Sequence, residues 1–162
     1  MSNFCFYMKL EPYLAQWLVN RLGNPVRFPA QSNENAIIRR FVQRPPDGTA
    51  PDLPGDGLIA VAIPDSKAKD PQYYHYMGVK AKRALAEAIN DLFTMCLWND
   101  VRDLLDEGQN GVNTIIEAWC EMHGVTADSE AVRQRYYRLR RKYASQGVNL
   151  LNFEKKNTPQ GV

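Results

Sequence analysis

The chain has 162 residues, 44% of them apolar, enough to bury one full core or two small ones, which excludes disorder as its ground state. Lys and Arg total 20 against 18 Asp and Glu, a formal charge of +2 that excludes a polyelectrolyte arm, and no apolar stretch reaches the roughly 20 residues of a membrane span. Residues 1–13 lack the basic stretch, apolar run and small-residue cleavage site of an export signal, and Cys5, Cys96 and Cys120 are odd in number and widely spaced, so a reduced, cytoplasmic setting is expected.

Phe4 to Leu10 is a short β-prone run. Glu11-Pro12 then opens a helix whose apolar residues Tyr13, Leu14, Trp17, Leu18 and Leu22 form one stripe, with Pro in the tolerated first turn and Gly23 just past the end. Pro25-Val26-Arg27-Phe28 reads as a further strand. A second helix follows over 32–41, capped by Ser32 and burying Ile37, Ile38, Phe41 and Val42. The Pro- and Gly-rich stretch from Pro45 to Gly57 is a loop, Leu58 to Ile63 a third strand, and Pro64 to Tyr76 a second loop.

Past Gly78 the pattern is wholly helical. Leu85, Ile89, Leu92, Phe93, Cys96, Leu97, Val101, Leu104 and Leu105 recur at three- and four-residue steps, which predicts one long helix over 79–106. Ile115, Ile116, Trp119, Cys120 and Met122 mark a shorter helix stopped at Gly124, and Asp128 or Ser129 caps a last one running to Ala144 with a narrow stripe of Val132, Tyr136, Leu139 and Tyr143. The expected fold is α+β and mostly helical. A small N-terminal sheet with helices spans 1–64, a loop 65–78, a C-terminal three-helix unit 79–147, and a loose tail 148–162.

Charge is unevenly distributed. Residues 1–85 carry 11 basic and 7 acidic groups (+4), residues 86–130 carry 1 and 10 (−9), and residues 131–162 carry 8 and 1 (+7). A polyanion feels the local field, within about 8 Å at physiological salt, rather than the near-neutral total. The last helix holds Arg133, Arg135, Arg138, Arg140, Arg141 and Lys142, and at 100° per residue these fan with Tyr137 around everything but the apolar stripe. Arginine's planar fork suits phosphate and guanine edges, and a phenol can donate to a phosphate oxygen, so this is a candidate recognition helix. The bland reading is that Arg140, Arg141 and Lys142 serve the helix dipole and the others pair with the acidic segment.

A short helix ending Trp119-Cys120-Glu121-Met122-His123-Gly124, a turn, and an Arg- and Tyr-rich helix after one long helix resemble, over residues 79–145, the three-helix helix-turn-helix domains of the Myb or homeodomain kind. In size and style the chain is similar to small regulatory proteins of bacterial mobile elements. The resemblance implies DNA binding and transcription regulation, with Arg133, Tyr137, Arg140 and Arg141 facing the groove and Arg138 and Lys142 on phosphates. Lys80, Lys82 and Arg83 oppose the dipole at the start of the long helix and are expected either to extend that contact or simply to lie in solvent.

Other chemistry is weakly signalled. Cys120 and His123 share a helical face, but a metal site would need Cys5 and Cys96 from distant segments, and core packing is expected instead. Asp100, Asp103, Asp106 and Glu107 cluster at a helix end where solvation is expected. Ser66, Asp70 and His75 can be written as a triad without any supporting motif, so no catalytic residue, metal or cofactor is assigned. The sequence reading is therefore a DNA-binding regulatory or accessory protein. Its rivals are an interaction or homodimerisation module joining acidic and basic segments, and a single-strand or RNA binder using Tyr73, Tyr74 and Tyr76.

Overall fold

Two strands distant in sequence form the only sheet among the described residues. β1 (Cys5–Lys9) and β2 (Leu58–Ala62) run antiparallel with Cys5 opposite Ala62, Tyr7 opposite Ala60 and Lys9 opposite Leu58. Alternation along the strands buries Phe6, Met8, Ile59 and Val61. The computed structural model describes residues 4–106, 108 and 111–146. The tail and its Leu150, Leu151 and Phe153 lie outside the described residues.

The expected strand over 25–28 is reduced to a single bridge. Val26 pairs parallel to Val61, donating to the Ala60 carbonyl at 2.8 Å and accepting from the Ala62 amide at 2.9 Å. Pro25 and Pro29 bracket the segment and supply no backbone donors, so pairing has no room to spread, although Val26 and Phe28 still bury their side chains.

Among the described residues there are five helices, α1 (Pro12–Leu22), α2 (Asn33–Phe41), α3 (Val79–Asp106), α4 (Val112–Met122) and α5 (Ser129–Ser145), so the fold is mostly helical α+β. Their ends follow local chemistry. Pro12 opens α1, and the Ser32 side chain caps α2 by accepting from the Asn35 amide at 3.2 Å. α4 ends in a Schellman motif, in which Val125 N–H donates to the Cys120 carbonyl at 2.9 Å and Gly124 N–H to that of Glu121 at 3.3 Å. Gly124 has φ +68°, where a side chain would be strained.

The chain forms two compact units, Met1–Phe93 and Thr94–Val162, dividing inside α3, whereas the sequence reading places the division at loop 65–78. Phe93 explains the position. Its ring lies 5.3 Å from Trp17 and 5.4 Å from Tyr13, so the first half of α3, with Leu85 and Ile89 also buried, completes the core begun by α1 and the strands. In the second unit Leu97, Trp98 and Val101 of α3 are buried, as are Ile115, Ile116, Trp119 and Cys120 of α4 and Val132, Tyr136 and Leu139 of α5.

Candidate nucleic-acid interface

α5 starts at Asp128, whose carboxylate accepts the Ala131 amide at 3.1 Å while its own backbone is left-handed at φ 55°. Val132, Tyr136 and Leu139 face inward, and Trp98 stacks on Tyr136 at 5.3 Å and meets Tyr143 edge-on at 5.1 Å. This aromatic seam fixes the rotation of α5. Burial pushes the Tyr136 phenol above its usual range, partly offset by the nearby Arg140 charge.

With that rotation set, the cations of α5 divide. Arg133 is paired with Glu130 one turn earlier, and Arg135 donates to Thr94 Oγ1 at 3.0 Å; both are half-buried. Tyr137 donates its hydroxyl hydrogen to Asn113 Oδ1 of α4 at 2.9 Å. A phosphate would have to take that donor from Asn113, so the expected direct role of Tyr137 is already occupied. Arg138, Arg140, Arg141 and Lys142 are exposed, and among the described residues none of them forms an ion pair. At about 100° per residue, Arg138 and Arg141 project away from the buried stripe, while Arg140 and Lys142 flank it on either side.

The cluster at the start of α3 divides too. Lys82 Nζ lies 3.0 Å from Asp52 Oδ2, and that oxygen also accepts the Tyr7 amide at 2.9 Å. Through Asp52 the ammonium ties loop 45–57 to α3, while the Tyr7 amide ties the same carboxylate to the edge of β1, so Lys82 is already answered within the chain. Lys80 and Arg83 are exposed.

Ser66, Asp70 and His75 do not form a triad. Ser66 Oγ accepts the Lys69 amide at 3.3 Å, Asp70 Oδ1 the Gln72 amide at 3.0 Å, and His75 Nδ1 lies 3.2 Å from the Pro71 carbonyl. Each is spent on shaping its own turn. Cys120 is buried, its thiol pushed up by burial and by the Glu117 charge, and among the described residues no three His, Cys, Asp or Glu side chains converge. Asp100 is not merely solvated as expected, because it accepts the Trp119 indole N–H at 2.9 Å. No described helix is long and apolar enough to cross a membrane.

No protein-family model, curated protein or solved structure matches this chain. Sequence reasoning missed the roles of Asp52 and Asp100, whose partners are 30 and 19 residues away and leave no periodic signal. The pairing of Arg133 with Glu130 at i,i+3 is the one commitment that spacing alone indicates.

Proposed function

We propose that the chain is a DNA-binding regulatory or accessory protein that contacts duplex DNA through α5. The observation that carries this reading is the set of four exposed cations without an ion pair among the described residues, Arg138, Arg140, Arg141 and Lys142, spread around the exposed side of a helix whose remaining face is locked into a core. Such a helix presents charge in a fixed frame, the condition for positioning on a phosphate backbone and for reading base edges in the major groove. Arg140 and Arg141 supply the planar forks for the groove, and Arg138 and Lys142 the phosphate contacts. Arg135 and Tyr137 tie α5 to α3 and α4, and the charge of Arg133 is partly answered by Glu130 within the helix, so these three contribute less than the exposed cations. The resemblance to helix-turn-helix regulators of mobile elements, with a cytoplasmic location, belongs to the same proposal.

The test is a duplex titration across salt, comparing the native chain with a triple variant carrying Arg138→Ala, Arg141→Ala and Lys142→Ala. Each phosphate that is no longer neutralised lowers the slope of log K against log salt by about 0.9, so the triple variant, which removes two phosphate contacts and one groove contact, should bind more weakly with a slope shallower by about 1.8. An unchanged slope, or a native chain that fails to bind at about 50 mM salt, overturns the reading. Salt-sensitive self-association without DNA would instead favour the interaction module.

A further inference from the structure

In the first unit, the chain leaving α2 is clasped to the loop before α3. Lys69 Nζ donates to the carbonyls of Arg40 and Val42, both at 3.0 Å, while Gln43 and Tyr76 exchange backbone hydrogen bonds at 3.0 Å each. These contacts fix the positions from which the side chains project. The Arg44 guanidinium lies 5.1 Å from the Tyr74 ring centre and 5.5 Å from that of Tyr73, and Arg40 lies 5.5 Å from the Phe41 ring. Tyr73 is 51% exposed and Phe41 43%. Residues 39–44 hold three arginines and no acid.

We infer that Arg40, Phe41, Arg44, Tyr73 and Tyr74 form a second nucleic-acid surface, built for unpaired bases of a single strand. The surface offers two exposed rings, Phe41 and Tyr73, beside half-buried Tyr74, with guanidinium groups 5.1–5.5 Å from the ring centres. An unpaired base brings the matching π-face and its phosphate the matching charge, so stacking and cation attraction act together. Duplex DNA keeps its base faces covered by its own stack and offers these rings nothing. An acidic peptide would satisfy Arg40 and Arg44 while leaving Phe41 and Tyr73 in water. The surface lies wholly within the first unit, whereas α5 belongs to the second.

The probe is a fluorescent oligothymidylate of about 12 nucleotides, followed by anisotropy with the full chain. Arg44→Gln and Tyr73→Ala should each weaken binding about tenfold, and Tyr73→Phe, which keeps the ring, should bind as the native chain does. Arg141→Ala should leave this binding intact while weakening duplex binding, so failure here and failure of the α5 reading are told apart. An abasic strand of equal length should bind distinctly less well. The inference is overturned if the native chain ignores the oligonucleotide, if the abasic strand binds equally, or if Arg44→Gln and Tyr73→Ala change nothing. Displacement of the strand by hexaglutamate at matching concentration would overturn it in favour of an acidic protein partner.

Discussion

Asp100 Oδ2 accepts the indole N–H of Trp119 at 2.9 Å, tying α3 to α4 inside the second unit. His123 completes the group, with Nε2 3.6 Å from the same oxygen and its ring 4.4 Å from that of Trp119. Trp119 is buried but Asp100 is 44% exposed, so water replaces part of the bond when the carboxylate is removed. Asp100→Ala should therefore cost about 0.5–1.5 kcal/mol, the net worth of a hydrogen bond whose donor water can partly satisfy. Asp100→Asn retains an acceptor oxygen and should lose less than half as much. Urea denaturation of both variants checks this, and equal small losses would remove Asp100 from the account of stability.

The Tyr136 hydroxyl is the reverse case. It is buried, and finds no hydrogen-bond partner among the described residues. Tyr136→Phe deletes an orphaned polar group while keeping the ring stacked on Trp98, so stability at neutral pH should hold or rise by about 1 kcal/mol. The variant should also alter the alkaline limb. Burial raises the folded-state pKa of this phenol, so the unfolded chain releases the proton first as pH climbs. The stabilising contribution is complete below about pH 10, the ordinary tyrosine value, and is lost as pH rises toward the folded pKa. Thermal melts between neutral pH and about pH 11 should show a smaller decline for Tyr136→Phe, with Cys120, also raised by burial, retaining part of the slope.

Much of the fold is legible in the sequence because it follows from local rules. Pro12, Ser32, Gly23 and Gly124 punctuate α1, α2 and α4 where capping chemistry requires, and the three- and four-residue recurrence from Leu85 to Val101 gives α3 in full. The segment 25–28 reads as a strand because Val26 and Phe28 are β-prone and buried, yet the flanking prolines limit the ladder to one bridge. The α5 stripe predicts its buried face correctly, since 100° per residue is geometry. Which cations that face would leave unpaired is not legible. Arg135 meets Thr94 and Tyr137 meets Asn113 only after tertiary packing brings helices together, and the clasp around Arg44 depends on segments about 27 to 29 residues apart.

The pairing of Arg133 with Glu130 predicts a ranking on α5. Arg133→Ala should weaken duplex binding less than Arg141→Ala, because its charge is already partly answered within the helix. Glu130→Gln should raise duplex affinity modestly, about two- to threefold, by releasing that charge and removing a negative one near the helix. Anisotropy titrations at one fixed salt concentration suffice. An Arg133→Ala loss equal to or above that of Arg141→Ala would assign the groove-facing edge of α5 to the Arg133 side.

Asp52 links three pieces of the first unit: its own loop, the edge of β1 through the Tyr7 amide, and α3 through Lys82. The carboxylate is 37% exposed, so water takes over part of each interaction when it is removed. Asp52→Ala should cost about 0.5–1.5 kcal/mol, most of it from the charged hydrogen bond to the strand edge, and Lys82→Ala less, about 0–1 kcal/mol, as for a surface ion pair. The double variant separates the two terms, because the ion-pair share is counted only once in it. Lys82→Ala should also leave duplex affinity and its salt slope unchanged, since the ammonium is engaged internally. A slope shallower by about 0.9 in Lys82→Ala would mean that the ammonium leaves Asp52 for a phosphate when DNA is bound.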